Sequence, residues 1–277
     1  MRSRAWAARA ADDPAATLAT FQEMLPVRLI ATERKALKTC RSDEKLSIVV
    51  ARNHEGFDYF PVVECADGVP ERIVGLVKLV AFMQGLDVEP QGFVRDVMQQ
   101  LSEENLIGAD ASLLTFIRSA DRQMCRLVVS GLEINGLVSL SDLHRLPVRG
   151  ALFAMVTHLE ITLANAIRSE FDQSNGWIGR LSRARKCKVL KKIADAKSQD
   201  TFVEELLFTE FGDKVDIVKK SPDFRWSKTE FSADLRKIQL LRNDIAHAND
   251  YAASPEAAIQ VCKTVRLMDQ WIDRLAV

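Results

Sequence analysis

A repeat restricts the fold more than any other feature of the chain. Ile73-Val74-Gly75-Leu76-Val77-Lys78-Leu79 recurs 61 positions later as Ile134-Asn135-Gly136-Leu137-Val138-Ser139-Leu140. The apolar runs before them, Pro61-Val62-Val63 and Leu127-Val128-Val129, correspond once a longer first loop is allowed. A fixed period of this kind marks one supersecondary unit used twice. Its β-branched texture and turn residues predict strand, turn, strand and helix in each copy. Phe60–Val63 reads as a strand, Leu46–Ala51 as a strand or short buried run, and Cys65–Glu71 as a loop turning at Asp67-Gly68. Residues 1–31 read as an extension, with a modest helical pattern (Leu18, Phe21, Leu25) that Pro26 interrupts.

The repeat resembles a tandem pair of CBS (cystathionine-β-synthase-type) domains over 32–147, with copies at about 32–88 and 94–147. The resemblance implies one α/β module with an adenine nucleotide (AMP, ATP or a related signalling nucleotide) held between the copies. The family's signature, Gly, two apolar residues, Ser or Thr, any two residues, then Asp, is complete at Gly136, Ser139 and Asp142. A strand-to-helix turn offers N–H groups and a hydroxyl to phosphate, and a carboxylate accepts from ribose hydroxyls. The first copy departs from it: Lys78 stands in the place of Ser139 and Ala81 in that of Asp142. That leaves one standard site, to which Lys78 lends charge for phosphates. Asp142 is equally suited to capping a helix.

From Pro147 the pattern becomes helical. Leu152, Met155, Val156, Leu159, Leu163 and Ile167 recur at three and four residues, one core stripe on a helix reaching Phe171. A second helix is expected over Trp177–Ala196, burying Leu181, Ala184, Cys187, Leu190 and Ile193. Its remaining surface carries Arg180, Arg183, Arg185, Lys186, Lys188, Lys191 and Lys192, with no acid between Arg180 and Lys192. Arg180, Arg183, Lys188 and Lys191 are the candidate RNA contacts, since such a strip neutralises phosphates; a solvated face is the plainer alternative. Short helices over Phe202–Gly212 and Val215–Lys220, packing aromatics Phe224, Trp226 and Phe231, and a last helix over Pro255–Leu275 complete a bundle.

Near the end of the penultimate helix stands Arg242-Asn243-Asp244-Ile245-Ala246-His247. It resembles the Arg-(four to six residues)-His signature of HEPN domains, all-helical domains that include many ribonucleases. The resemblance implies an HEPN bundle over 148–277, which dimerises with the signature at the interface. Five helical positions span about 140°, so Arg242 and His247 do not share one face, whereas Asn243 and His247 do. A dyad places both pairs around one groove. Arg242 is expected on the apolar face of Phe231, Leu235, Ile238 and Ile245.

The fold class expected is therefore α+β, a tandem CBS module followed by an all-α bundle. The function expected is a nucleotide-sensing, metal-independent endoribonuclease of toxin or stress-response type. In that reading the RNA 2′-hydroxyl attacks its own phosphodiester. His247 moves protons, the usual role of a histidine in general acid–base catalysis. Arg242 stabilises phosphoryl charge, and Asn243 orients the histidine or the substrate. No cofactor is needed for cleavage. The expected partners are RNA, an adenine nucleotide, a second copy in a homodimer through both modules, and an antitoxin. The alternative is a non-catalytic CBS–HEPN regulatory dimer that binds adenine nucleotide and a protein or RNA partner, its Arg-His pair bonded inside the bundle to a group such as Glu160.

Composition narrows the rest. With 277 residues, 47% of them apolar, the chain has material for two cores. Its net charge of zero argues against wholesale coating of nucleic acid while leaving local patches open. Five scattered cysteines lack ligand spacing, so no metal site is expected and a reducing, cytoplasmic compartment is. No run of about 18 uninterrupted apolar residues is seen, and no membrane association is expected.

Overall fold

The computed structural model describes residues 20–21, 24–65, 71–83, 90–172, 174–199 and 204–276. Most of the expected extension and the Asp67-Gly68 turn lie outside the described residues. The chain divides into two compact units, one over Leu25–Pro147 and one containing everything from Val148 onward.

In the first unit the strands are β1 (Thr32–Glu33), β2 (Cys40–Arg41), β3 (Tyr59–Glu64), β4 (Arg72–Lys78), β5 (Gln99–Gln100), β6 (Leu106–Gly108), β7 (Cys125–Ser130) and β8 (Glu133–Ser139). Its helices are α1 (Leu46–Ala51), α2 (Val80–Met83), α3 (Val94–Val97) and α4 (Leu113–Ile117). They make two four-stranded sheets, ordered β2-β3-β4-β5 and β6-β7-β8-β1. The repeated sequence forms the hairpins β3-β4 and β7-β8, each with a register irregularity at the same place, Val62/Val63 and Val128/Val129.

Each sheet borrows its fourth strand from the segment that precedes the other copy. β1 pairs with β8, Glu33 opposite Gly136, and β5 pairs with β4, Gln100 opposite Gly75. The exchange extends further back. Val27 N–H donates to Ala111 O (2.8 Å) and Arg28 N–H to Ala109 O (3.0 Å), as Val94 does to Glu44 (2.9 Å) and Arg95 to Ser42 (2.9 Å). Residues 25–31 are therefore an element of this unit and not an extension.

Leu46–Ala51 is a helix, contrary to expectation. Strands β2 and β3 run parallel, so a crossover must join them, and α1 supplies it with Leu46 and Val49 buried on one face. Tyr59, Leu76, Cys125, Leu127 and Leu137 pack together in one core.

Across the unit boundary runs α5 (Leu146–Phe171), whose expected stripe is buried along with Val148, Ala151, Thr162 and Ala164. Its length and composition are those of a membrane-crossing helix, with half of the apolar stretch buried in the protein. Few charges interrupt it, although no uninterrupted apolar run is that long. The helices that follow are α6 (Arg183–Ser198), α7 (Phe211–Lys219), α8 (Lys228–Ala246) and α9 (Pro255–Leu275). Phe224, Trp226, Phe231 and Trp271 stack edge to face with centroids 4.9–5.9 Å apart, and Trp271 Nε1–H donates to Asp234 (3.2 Å). This aromatic cluster joins α8 to α9, contributing about 1 kcal/mol per pair beyond area burial.

The expected second helix is broken. Asn175–Arg180 is a 3-10 turn with Trp177 buried, and Ser182 Oγ then caps α6 by accepting from Arg185 N–H (3.4 Å). Only Val189 and Ile193 of α6 are fully buried, while Ala184, Cys187 and Leu190 are exposed. Thr209 likewise separates a 3-10 turn, Glu205–Phe208, from α7.

Candidate functional site

The signature lies on the last turn of α8. Leu241 and Ile245 continue the buried face, so Arg242 and Asn243 fall at its half-buried edge and His247 is exposed. Arg242 therefore flanks the apolar face instead of lying on it. Among the described residues the side chains of Arg242, Asn243 and His247 make no hydrogen bond or ion pair. Glu160 is not a partner of Arg242: it takes the buried Lys214, Nζ to Oε1 at 2.8 Å.

The backbone around these free side chains is fixed. His247 N–H donates to Asn243 O (2.9 Å) and ends the helix. Ala248 follows in the left-handed region at φ 56. Ala248 N–H reaches back to Ile245 O (3.4 Å) and Asn249 N–H to Asp244 O (2.9 Å). This double return is a Schellman cap, usually built on glycine; alanine there costs about 1 kcal/mol. Asn249 Nδ2 also donates to Asp244 Oδ1 (3.1 Å). From the first turn of α5, Arg149 donates Nη1–H to Asp244 O and Ile245 O (3.0 Å each) and Nη2–H to Asn249 O (2.6 Å). Its guanidinium lies 4.9 Å from the ring centroid of the buried Tyr251, whose phenol burial pushes up to about 12. Residue type alone does not single out Arg149, because its acceptors are main-chain carbonyls.

On α6 the strip is narrower than expected. Arg180 forms an ion pair with Glu170, donates to Ile217 O and lies 4.5 Å from the centroid of Phe171, so it ties the bundle and is not free for RNA. Arg185 is bidentate to Asp213 (2.8 and 2.6 Å). That bond and burial turn α6 so that Arg183, Lys186, Lys188 and Lys191 point to solvent beside Cys187 and Leu190. Asp213 also accepts from Glu210 N–H (2.9 Å). Burial pushes its carboxyl up, but Arg185, Glu210 and Lys214 together outweigh this and hold it below the ordinary range.

In the α/β unit the signature residues face one another. Asp142 Oδ2 accepts from Ser139 N–H (2.7 Å) and Oγ–H (3.1 Å), while Oδ1 pairs with Arg145 Nε (2.8 Å). Its side chain is 7% exposed. Burial pushes the carboxyl above its ordinary range, against the opposing pull of Ser139 and Arg145. Here Asp142 acts as a cap. Gly136 has a separate reason to be glycine: a Cβ there would stand 2.6 Å from Thr32 O of the crossing β1. The equivalent contact at Gly75 is 2.5 Å, to Gln99 O. Lys78 is exposed at the end of β4, opposite Tyr59.

No protein-family model matches the chain, and no curated protein matches it. Among solved structures it is similar to the CBS domain of the bacterial CNNM/CorC family Mg2+ transporter in complex with ATP, at 19% identity over 47% of this chain and 92% of that one, TM-score 0.37. It is also similar to a hemolysin-like protein containing a CBS domain from Oenococcus oeni, at 12% identity over 47% and 94%, TM-score 0.36. The CBS domains of a transcriptional regulator from Streptococcus pneumoniae match at 17% identity over 43% and 96%, TM-score 0.34. The structures it resembles are thus CBS-domain proteins, and the likeness extends over about half of the chain.

Proposed function

We propose that the protein is a nucleotide-responsive, metal-independent endoribonuclease of toxin or stress-response type, with a tandem CBS module in its α/β unit and an HEPN domain in its helical unit. The observation that carries this reading is the state of Arg242, Asn243 and His247: side chains unpaired among the described residues, on a helix end whose Asn243, Asp244 and Ile245 carbonyls are bonded. An exposed imidazole five residues along the chain from an unpaired guanidinium has the groups that 2′-hydroxyl attack on a phosphodiester requires. His247 takes the hydroxyl proton or supplies one to the departing 5′-oxygen. Arg242 stabilises charge on the phosphoryl oxygens, and Asn243 orients substrate. Two copies about a dyad bring two such sets to one groove. Arg183, Lys188 and Lys191 hold the RNA backbone, which makes binding salt-dependent.

The sensing half of the proposal rests on the Gly136–Asp142 signature and the paired repeat. An adenine nucleotide there takes phosphate contacts from the Ser139 turn and Lys78, and its ribose displaces Arg145 or Ser139 from Asp142. RNA cleavage by purified protein in EDTA, with and without AMP and ATP, tests both halves. Wild type should cleave, His247→Ala should lose roughly 10²–10⁴-fold, and nucleotide should change the wild-type rate unless Asp142 is replaced by Asn. Equal rates in wild type and His247→Ala would contradict the catalytic assignment. An antitoxin would act on the same exposed helix end.

A further inference from the structure

We propose that Arg149 is a positioning residue for the His247 site, an inference that rests on the ribonuclease reading above. Its three acceptors bracket the histidine in sequence: Asp244 and Ile245 before it, Asn249 after it. One guanidinium from α5 thus clamps both sides of the turn that carries the imidazole. Its location has no rationale within its own helix. Arg149 lies in the first turn of α5, at the positive end of that helix dipole, where a cation is disfavoured. The carbonyl end of α8 reverses the balance, since it is the negative end of a helix, where a cation is favoured and each carbonyl oxygen can accept a second bond. The turn it clamps is also one that would not hold itself well, because Ala248 occupies a left-handed conformation at φ 56. Tyr251, buried against the guanidinium, completes the enclosure. Arg149 touches no reacting group in this scheme; it fixes where His247 stands relative to Arg242 and Asn243.

The test is single-turnover RNA cleavage by Arg149→Ala and Arg149→Lys, with amide hydrogen exchange at Ala248 and Asn249 on the same proteins. A displacement of about 1 Å at a reacting group costs on the order of a hundredfold. Arg149→Ala should therefore lose tenfold to a hundredfold in rate at saturating RNA (roughly that range), with RNA affinity within about threefold of wild type, because the basic face of α6 is untouched. Exchange at the two amides should quicken. Millimolar guanidinium should restore both readouts in Arg149→Ala, and Arg149→Lys should fall between. These are effects that a general loss of stability would not show. Wild-type rate in Arg149→Ala, or a lost rate that guanidinium fails to restore while the protein stays folded, overturns the inference and leaves the ribonuclease reading standing. Wild type that cleaves no RNA overturns both.

Discussion

At Asp142 the carboxylate is buried and both oxygens are occupied, by Ser139 and Arg145. At His247 the imidazole is exposed and free, while the main chain on either side is bonded and clamped by Arg149. Both turns carry a sequence signature, and both sit at the junction of a regular element and a loop. In the α/β unit the signature residues satisfy each other. In the helical unit the framework is satisfied by residues outside the signature, which leaves the signature itself unspent. Reactive chemistry favours the second arrangement, because side chains free of internal partners can meet a substrate without first breaking bonds. The first arrangement suits a switch, since a ligand must compete with the cap to engage Asp142, and that competition couples occupancy to local structure.

The contrast recurs between the two capping aspartates, and pH can break it. Asp213 has a bidentate arginine and a depressed carboxyl; Asp142 has a single Arg145 contact and a raised one. For Asp213 the stabilisation is present above the unfolded-state value and disappears as pH falls through the lower folded value. For Asp142 the sign is opposite: the favourable contribution belongs to pH below the unfolded-state value and is lost as pH rises through the folded one. Urea unfolding of Asp213→Asn near pH 7 should show the larger loss, about 2–3 kcal/mol for opening a largely buried pair, shrinking in acid. Asp142→Asn should be nearer to neutral at pH 7 and should not improve relative to wild type in acid. Equal losses and equal pH trends would show that the two caps do not differ as argued.

The two glycines of the repeat sharpen the same comparison. Gly75 and Gly136 each face a crossing backbone oxygen at 2.5 and 2.6 Å from a built Cβ. Alanine at either position should cost about 2 kcal/mol, because a strand and not a flexible side chain must move. The losses should match one another, measured by denaturant midpoint, since neither glycine is kept for nucleotide alone. If Gly136→Ala lost only nucleotide affinity and no stability, the motif would belong to the ligand and not to strand exchange.

The smallest expected effect is at Ala248. Glycine there removes the left-handed penalty and should raise stability by a few tenths to about 1 kcal/mol, read as a small rise in Tm. A loss of stability would mean that the turn is held by contacts of the Ala248 methyl.

The repeat was legible because a strand pair with one face buried leaves a spaced apolar pattern, and the two glycines fall at the same step of it. Strand exchange was not, because β1 and β5 are two residues each and carry no pattern. Leu46–Ala51 reads as a strand or short buried run because a six-residue β-branched run is compatible with either element, and only the parallel pairing of β2 and β3 demands a helix. Of the buried face expected for this helix, Leu181 and Ile193 are buried; Ala184, Cys187 and Leu190 recur at threes but face solvent, because the Arg185–Asp213 pair sets a rotation that buries Val189 with Ile193. Arg242 and His247 were readable as a spacing, but the half-burial of one and the exposure of the other depend on where α8 ends. That end is set by Ala248 and Arg149, whose hydrogen bonds are with the main chain and leave no trace in residue type.

The most direct test of the central claim is the chemistry of the RNA ends left by the purified protein in EDTA. Fragments should carry 2′,3′-cyclic phosphate and 5′-hydroxyl termini and should be absent when either Arg242 or His247 is replaced by alanine. Fragments ending in 3′-hydroxyl and 5′-phosphate, or cyclic-phosphate ends formed equally by the His247→Ala protein, would contradict it.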